Sequence, residues 1–298
     1  MTVVTRPAHA KLNAFLRVLG RRHDGYHDIE TLIVPISLHD VVTVEPADRL
    51  TLEVRGPAAD GVPTDDRNLV FRAAHALAAE VGGGVSRGAR ISIEKRVPAA
   101  AGLGGGSADA AATLLVLDEL WSTGMGRDVL ARLAAEVGSD VPALLLGEAA
   151  YVTGRGEIVD PVWAQSTTWV VKPFAFGVSS ADAYRWWGER AVTGPDPGAL
   201  IAAAEAGNDA LVGSALFNDL QAAVAARHPE IAETIGALVA AGAHGAVMSG
   251  SGPTVVALCP FAAAEEIADA VPGAFVVDAP PRTATPARIE GDGPSGVV

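Results

Sequence analysis

The chain has 298 residues, of which 49% are hydrophobic, and a formal net charge of −13 at pH 7, values that indicate a globular protein and exclude a disordered one. This acidic balance argues against sequence-independent nucleic-acid binding, which requires a basic surface. Apolar runs stay short of the roughly 20 residues of a membrane helix and the first residues lack a signal-peptide pattern, so we expect a cytoplasmic protein without a membrane partner.

The first 160 residues predict a unit that mixes strands and helices. Alternating apolar and polar residues favour strands, whereas apolar residues at a spacing of three and four favour helices. The predicted elements are strands at 10–20, 29–36, 41–44, 50–54 and 91–97, helices at 68–80 with Asn68 as N-cap, 110–121 and 127–136, and a hairpin of 150–153 with 157–159. Turn residues at 160–167 mark the predicted domain boundary.

The second half predicts a smaller unit that ends in a strand, loop, strand, helix, strand order. Such an order is compatible with a split βαβ sandwich. The predicted elements are a strand at 169–172, helices at 181–190 capped by Ser180, 216–226 and 231–241, strands at 245–248 and 254–258, a helix at 262–269 and a strand at 274–277. Proline, glycine and threonine dominate residues 279–298, for which we expect a disordered tail.

A run of three glycines, Gly104 to Gly106, stands between a predicted strand and a predicted helix. Such a loop turns backbone N–H groups toward one point, and the helix dipole adds positive potential, so the segment suits a polyphosphate. No lysine follows Gly106 as a Walker A loop requires, and a flexible turn before a core helix is the alternative interpretation. We expect Ser107 to cap the helix and to reach a Mg²⁺ ion, and Asp109 to be an acid at the helix start.

Three motifs stand in order along the chain: Ala-Lys-Leu-Asn at 10–13, the glycine-rich segment at 98–107, and Gly-Ala-Val-Met-Ser-Gly-Ser-Gly-Pro-Thr at 245–254. Together they resemble the GHMP kinase superfamily of small-molecule kinases. The resemblance implies an α+β, two-domain GHMP kinase fold. Residues 1–160 would form a ribosomal-protein-S5-like domain with the ATP-binding glycine loop and residues 161–278 a ferredoxin-like domain, with the active site in the cleft between them.

Two further segments, Asp-Gly-Tyr-His at 24–27 and Gly-Ser-Asp-Val-Pro at 138–142, narrow the resemblance within that superfamily. They are similar to those of the kinases of the non-mevalonate isoprenoid pathway that phosphorylate the 2-hydroxyl of a cytidine-diphosphate-linked methylerythritol. This implies ATP and Mg²⁺ as cofactors, small-molecule substrates, no nucleic-acid partner, and a monomer or weak homodimer.

Two alternative functions are weighed against this one. The chain could be another small-alcohol kinase, for homoserine or mevalonate, against which the 24–27 segment argues. It could also be a non-catalytic nucleotide-binding protein, against which the presence of Lys11, Ser107 and Asp140 argues, because a binding module has no need of an acid-base pair.

The resemblance implies Asp140 and Lys11 as the catalytic residues. A carboxylate beside the substrate hydroxyl can accept its proton, and an adjacent ammonium keeps that carboxylate ionised. A role for Asp140 as the N-cap of a short helix is the structural alternative. The other implied positions are, for ATP, Asn68, Lys95, Pro98, Gly102, Leu103, Gly104, Gly105, Gly106, Ser107 and Ala108; for the substrate, Asn13, Tyr26, His27, Ser180, Gly250, Ser251 and Gly252; and, for Mg²⁺, Ser107.

Overall fold

The computed structural model describes residues 3–82, 87–162, 165–189 and 191–279. Within these ranges the strands are β1 (Val4–Arg21), β2 (His27–Ala47), β3 (Thr51–Arg55), β4 (Gly88–Glu94), β5 (Ala150–Gly154), β6 (Ile158–Pro161), β7 (Thr167–Lys172), β8 (Phe217–Asn218), β9 (Gly245–Met248), β10 (Val255–Cys259) and β11 (Phe275–Ala279). The helices are α1 (Leu69–Val81), α2 (Gly105–Leu120), α3 (Arg127–Val137), α4 (Val141–Leu146), α5 (Ser180–Gly188), α6 (Gly198–Glu205), α7 (Asp209–Ser214), α8 (Gln221–Ala225), α9 (Glu230–Ala240) and α10 (Ala264–Asp269). The tail expected at 279–298 lies outside the described residues, except that Ala279 ends β11.

The larger sheet is built on the long antiparallel pair of β1 and β2, which are joined at a turn containing Gly25 in the left-handed region (φ 89°). Its strand order is β3-β4-β2-β1-β8, and β5 pairs with both β2 and β6. Helices α1 to α4 cover one face, where Ile91 and Ile93 of β4 meet Leu114 and Leu117 of α2. These four side chains are fully buried, which explains the alternating pattern of β4.

The smaller sheet has the order β11-β7-β10-β9, and all neighbouring strands are antiparallel. Numbered within this half, the order is 4-1-3-2, the arrangement of a split βαβ unit. The expected α+β fold, with a ferredoxin-like C-terminal domain, is confirmed.

The two sheets share a buried cluster, to which the larger sheet contributes Leu12 and Leu32 and the smaller sheet Trp169, Val171 and Leu258. Each of these side chains has an exposed fraction of 0%. This cluster holds the two sheets together behind the cleft in which the predicted site residues meet. Strand β8 adds a second connection, because Phe217 and Asn218 from the second half of the chain pair in parallel with β1.

One predicted helix start agrees with the structure and three differ from it. Asn68 caps α1 as expected, its Oδ1 accepting from the Val70 N–H at 3.0 Å. The glycine-loop helix, however, begins at Gly105 with Gly104 as its N-cap, so Ser107 lies inside the first turn and its predicted capping role was wrong. Helix α5 is capped by Ser179, not by Ser180, and the helix expected at 216–226 is shortened by β8.

None of the helices in the described part of the chain has both the length and the apolar character that crossing a bilayer requires.

Candidate active site

Lys11 and Asp140 lie side by side although 129 positions separate them in the chain, since 140 − 11 = 129. The Lys11 Nζ is 3.3 Å from the Asp140 Oδ2, with exposed side-chain fractions of 5% and 35%. Asp140 directly precedes α4, but its carboxylate makes no capping hydrogen bond. Asp140 thus occupies the N-cap position of α4, as the structural alternative expected, but its side chain does not cap the helix, and its oxygens face Lys11 and the cleft.

The Lys11 ammonium is held in place by a chain of hydrogen bonds. It donates to Asn13 Oδ1 at 2.6 Å, and Asn13 Nδ2 donates to Thr31 Oγ1 at 2.8 Å. The Thr31 hydroxyl in turn donates to the Phe15 carbonyl at 2.6 Å. Register shifts in β1 between His9 and Lys11, and between Asn13 and Phe15, flank this pair. Such irregularities re-aim side chains within a strand, which places two polar residues in a buried strand centre.

The glycine loop lies directly against Lys11. The Leu103 carbonyl accepts from the Lys11 N–H at 2.9 Å, and Gly104 has a φ of 68°. A Cβ at Gly104 would stand 2.8 Å from Lys11 Cγ, so no larger residue fits there without displacing the lysine. Helix α2 starts here without a side-chain cap, and the Ser107 hydroxyl has no hydrogen-bond partner among the described residues. The first turn of α2 thus presents free donors to the cleft.

The third motif closes the site from the smaller sheet. Ser249 Oγ accepts from the Asn13 N–H at 3.0 Å and donates to the Gly102 carbonyl at 3.2 Å, so it joins all three motifs. Gly250, with a φ of 57°, leaves room for the Lys11 and Asn13 heads, since its Cβ would be 2.9 Å from Asn13 Oδ1. Ser249 was missed by the sequence reasoning, although it stands beside the glycines of the motif.

Asn218 of β8 supports the same loop, because its Nδ2 donates to the carbonyls of Met248 at 2.6 Å and Gly250 at 2.7 Å. Ser180 Oγ is 3.2 Å from Ser251 Oγ across the cleft mouth. The loop is therefore held by β8, a strand of the larger sheet, and contacted by the start of α5.

A cleft of about 1060 Å³ opens at this meeting point. The predicted site residues that line it are Lys11, Asn13, Tyr26, His27, Pro98, Gly102, Leu103, Gly104, Gly105, Gly106, Ser107, Asp140, Ser180, Gly250 and Ser251. Those that do not line it are Asn68, Lys95, Ala108 and Gly252. Asn68 uses both side-chain polar atoms within its own loop and helix start, donating to the Pro63 carbonyl at 2.8 Å as well as capping α1.

Aromatic side chains form the outer end of the cleft. His27 stacks on Tyr184 with ring centroids 4.5 Å apart and planes 15° apart, and Trp187 meets it edge-on. Partial burial, with a smaller effect from the charge of Arg21, lowers the pKa of the His27 imidazole. Tyr26 is 52% exposed, with the Arg155 guanidinium 5.2 Å from its ring centre. The ring of Tyr184 was not predicted, since it lies on α5, far along the chain from His27 at the start of β2, and carries no local signal.

Lys95 is buried beneath the glycine loop. Its Nζ is 2.5 Å from Asp40 Oδ2 and 2.7 Å from Asp109 Oδ2, and each of the three side chains is 3% exposed or less. Asp40 Oδ1 also accepts from the N–H groups of Arg96 at 2.5 Å and Val97 at 2.8 Å. The expectation that Asp109 is a helix-start acid was wrong, because α2 begins earlier and turns this carboxylate inward.

Two carboxylates share the single ammonium in this cluster. Burial raises the pKa of Asp109, and the like charge of Asp40 adds to the rise, while Lys95 opposes it. Asp109 Oδ1 is buried without a hydrogen-bond partner in the described structure. Asp40 was missed by the sequence reasoning, since a lone aspartate at the middle of β2 carries no motif.

The comparisons with known proteins agree with this geometry. The family model for the GHMP kinases N terminal domain matches residues 68–148, and that for the GHMP kinases C terminal domain matches residues 200–277. The fold and this site thus define a GHMP kinase, a small-molecule kinase that uses ATP as co-substrate.

Individual relatives show to which family of GHMP kinases the chain belongs. The 4-diphosphocytidyl-2-C-methyl-D-erythritol kinase of Symbiobacterium thermophilum is 48% identical over 85% of this chain and 89% of its own length. That of Nocardia farcinica is 43% identical over 93% of this chain and 99% of its own length. A crystal structure of 4-(cytidine 5'-diphospho)-2C-methyl-D-erythritol kinase aligns with a TM-score of 0.75 and 35% identity, covering 92% of this chain and 98% of that one. The chain belongs to the 4-diphosphocytidyl-2-C-methyl-D-erythritol kinase family.

Proposed function

We propose that this chain transfers the γ-phosphoryl group of ATP to the 2-hydroxyl of 4-diphosphocytidyl-2-C-methyl-D-erythritol, giving the 2-phosphate and ADP in the non-mevalonate isoprenoid pathway. The observation that carries the proposal is the Lys11–Asp140 pair, 3.3 Å apart at the start of the glycine-loop helix. The family membership reported above supplies the identity of the acceptor.

Asp140 accepts the proton of the acceptor hydroxyl in this proposal. Its carboxylate is partly exposed to the cleft and is not used for helix capping, so it is available to a substrate. Lys11, whose Nζ is 3.3 Å from that carboxylate, places its positive charge close to the path of the transferred group. Asn13 orients the Lys11 ammonium by accepting its hydrogen bond at Oδ1. Asn13 also lines the cleft, where it can contact the hydroxyl groups of the acceptor.

The N–H groups at the start of α2 bind the polyphosphate of ATP. The residues present fit a Mg²⁺ ion held mainly by phosphate oxygens and water, with the unpartnered Ser107 hydroxyl as the protein ligand, because no group of three or more metal-ligating side chains occurs in the part of the chain that the structure describes. Bound Mg²⁺ would neutralise charge on the transferring phosphoryl group. Lys95, Asn68 and Ala108 lie behind the cleft lining and are proposed to support the nucleotide from beneath.

The cytidine base is proposed to bind at the aromatic end of the cleft. Tyr26 offers an exposed ring for stacking, and His27, oriented by its contact with Tyr184, offers an imidazole to the edge of the base. Ser180, Ser251 and Gly250 border the acceptor end, where Gly250 leaves space for a close approach. Gly252 is proposed to support this loop from behind, since a Cβ there would stand 2.6 Å from Met248 Sδ.

We also propose the broader assignments that the sequence favoured. The protein acts in the cytoplasm, as a monomer or weak homodimer that binds no nucleic acid, and its domains are residues 1–160 and 161–278. Sedimentation of the purified chain at two concentrations tests the oligomeric state.

A coupled ADP-release assay tests the activity. Purified protein is supplied with ATP, Mg²⁺ and the cytidine-diphosphate-linked acceptor, beside matched reactions with homoserine and with mevalonate. Of the three reactions, we expect ADP release only in the one that contains the cytidine compound. Release with mevalonate or homoserine and none with the cytidine compound would reject the proposal, and no release above the acceptor-free blank would favour a non-catalytic protein.

A further inference from the structure

A second cavity, of about 350 Å³, lies on the N-terminal half and shares no lining residue with the active-site cleft. Its long wall is the face of α2 that carries Ala108, Ala112 and Leu115, which recur at a helical spacing of three and four. Residues 144–146 of α4 and the following Gly147 form the opposite wall, and residues 6–9 of β1 close one end. We call this cavity the α2–α4 groove.

The groove combines an apolar floor with a basic rim. Arg6, His9 and Arg127 are its charged or titratable lining residues, and none of the described residues that line it is acidic. The chain as a whole carries 35 acidic and 22 basic residues, so a carboxylate-free concavity stands out against its surroundings. Such a site favours a ligand with an apolar body and a negative head.

The two arginines differ in how free they are. Arg6 pairs with Glu119 at 3.1 Å in an exposed position, so most of its charge is already matched. Arg127 is exposed at the start of α3, and no ion pair joins it to any carboxylate in the described ranges. One unmatched guanidinium suits one negative charge, and its planar fork matches a carboxylate in two parallel hydrogen bonds.

We infer that the α2–α4 groove binds a medium-chain aliphatic carboxylate, with its hydrocarbon chain on the partly exposed side chains of Leu115, Leu145 and Leu146 and its carboxylate on Arg127. Ala108 and Ala112 form the buried floor beneath these side chains. The volume of about 350 Å³ holds about ten to twelve non-hydrogen atoms at about 30 Å³ each, which is the size of a decanoate ion. This inference concerns a separate site and does not rest on the proposed kinase activity.

The location of the groove gives such a ligand a direct contact with the supports of the active site. Ala108 follows Ser107 of the glycine-loop helix, Leu144 lies one turn beyond Asp140 in α4, and His9 precedes Lys11 by two positions in β1. An occupant therefore touches the reverse side of all three elements that carry the proposed catalytic groups.

Titration calorimetry with decanoate, kept below its micelle concentration, tests the inference on the full chain. We expect one binding site, at least about tenfold weaker binding to Arg127→Ala, and unchanged binding to the matched control Arg90→Ala, an exposed arginine on β4 that lines neither cavity; tenfold corresponds to about 1.4 kcal/mol. Ala112→Leu, which adds bulk to the floor of the groove, should abolish decanoate binding. If Ala112→Leu does not fold, the comparison of wild type with Arg127→Ala still tests the inference.

Four further ligands separate the alternatives: decanol, acetate, octyl phosphate and ATP. Decanol should bind at least about fivefold more weakly than decanoate, and acetate should show no binding, because the site requires both head and chain. Equal binding of decanoate to wild type and Arg127→Ala, tighter binding of octyl phosphate than of decanoate, displacement of decanoate by ATP, or no binding at all would each overturn the inference.

Discussion

Asp40→Asn removes a carboxylate that accepts from Lys95 Nζ, Arg96 N–H and Val97 N–H at full burial. The asparagine oxygen can keep the two backbone donors, but its Nδ2 then faces the Lys95 ammonium, and two donors oppose each other at a position where the native oxygen lies 2.5 Å away. Removing one partner of a buried ion pair costs about 3–5 kcal/mol, and we expect Asp40→Asn to fall in that range.

Asp109→Asn changes the other carboxylate of the same cluster with a different expected result. Its Oδ2 accepts from Lys95 at 2.7 Å, and its Oδ1 has no partner among the described groups. An asparagine oxygen can keep the Lys95 bond, its Nδ2 replaces an atom that is already unpaired, and the remaining Asp40–Lys95 pair is neutral. We therefore expect a cost of about 1 kcal/mol, the ordinary net worth of a hydrogen bond.

Urea denaturation of the two variants and the wild type at pH 7 measures this difference. The free energy of unfolding should fall by at least about 2 kcal/mol more for Asp40→Asn than for Asp109→Asn. Because Asp40 also fixes residues 96 and 97, which lead into the glycine loop, the folded fraction of Asp40→Asn should show a raised KM for ATP. If both variants lost the same free energy of unfolding, or if Asp109→Asn lost more, Asp40 would not be the main partner that stabilises the buried Lys95 ammonium.

Three further predictions follow from the site. Asp140→Asn should lower kcat by about 10² or more with nearly unchanged ATP affinity, measured by ADP release and by calorimetry. Gly104→Ala should lower stability by about 1–2 kcal/mol through its left-handed backbone, and should also lower kcat because the new Cβ meets Lys11. Burial lowers the pKa of His27 below its ordinary value of about 6.5, so KM for the cytidine substrate should change little between about pH 8 and pH 7 and should rise as the pH falls below about 6.5.

Matched controls sharpen these tests. Gly124→Ala has the same kind of backbone, with a φ of 62°, but no atom within 4 Å of the added Cβ, so it should lose stability without losing kcat. A kcat for Asp140→Asn within about threefold of wild type would remove the aspartate from the reaction. A KM that already climbs about twofold between pH 8 and pH 7 would mean that a different group titrates in the base pocket.

The sequence predicted the parts of the site that are local to a motif. Asn68 is a correct N-cap because its side chain bonds to a neighbour two residues away. Ser107 was wrong as a cap because a glycine can begin a helix from the left-handed region, which propensity alone does not show. Lys11 and Asp140 were brought together by the resemblance, not by any pattern of spacing.

The residues that sequence reasoning missed depend on tertiary contacts. Asp40 meets Lys95 across a β2–β4 pairing, and Tyr184 meets His27 only once the two halves have docked. Ser249 acts through hydrogen bonds to β1 and to the glycine-rich loop, both distant in the chain. None of these partners is within one turn or one hairpin of the other, so neither helical nor strand periodicity contains the information.

The short strand β8 has a consequence for how substrates enter. Its residues Phe217 and Asn218 pair in parallel with the edge of β1. Asn218 also donates a hydrogen bond to the Gly250 carbonyl of the neighbouring loop. Separating the two halves of the chain would break the β1–β8 pairing and expose the buried cluster around Trp169 that the two sheets share. Ligand entry is therefore confined to the open rim of the cleft, at Tyr26 and the start of α5, while the floor beneath keeps its shape.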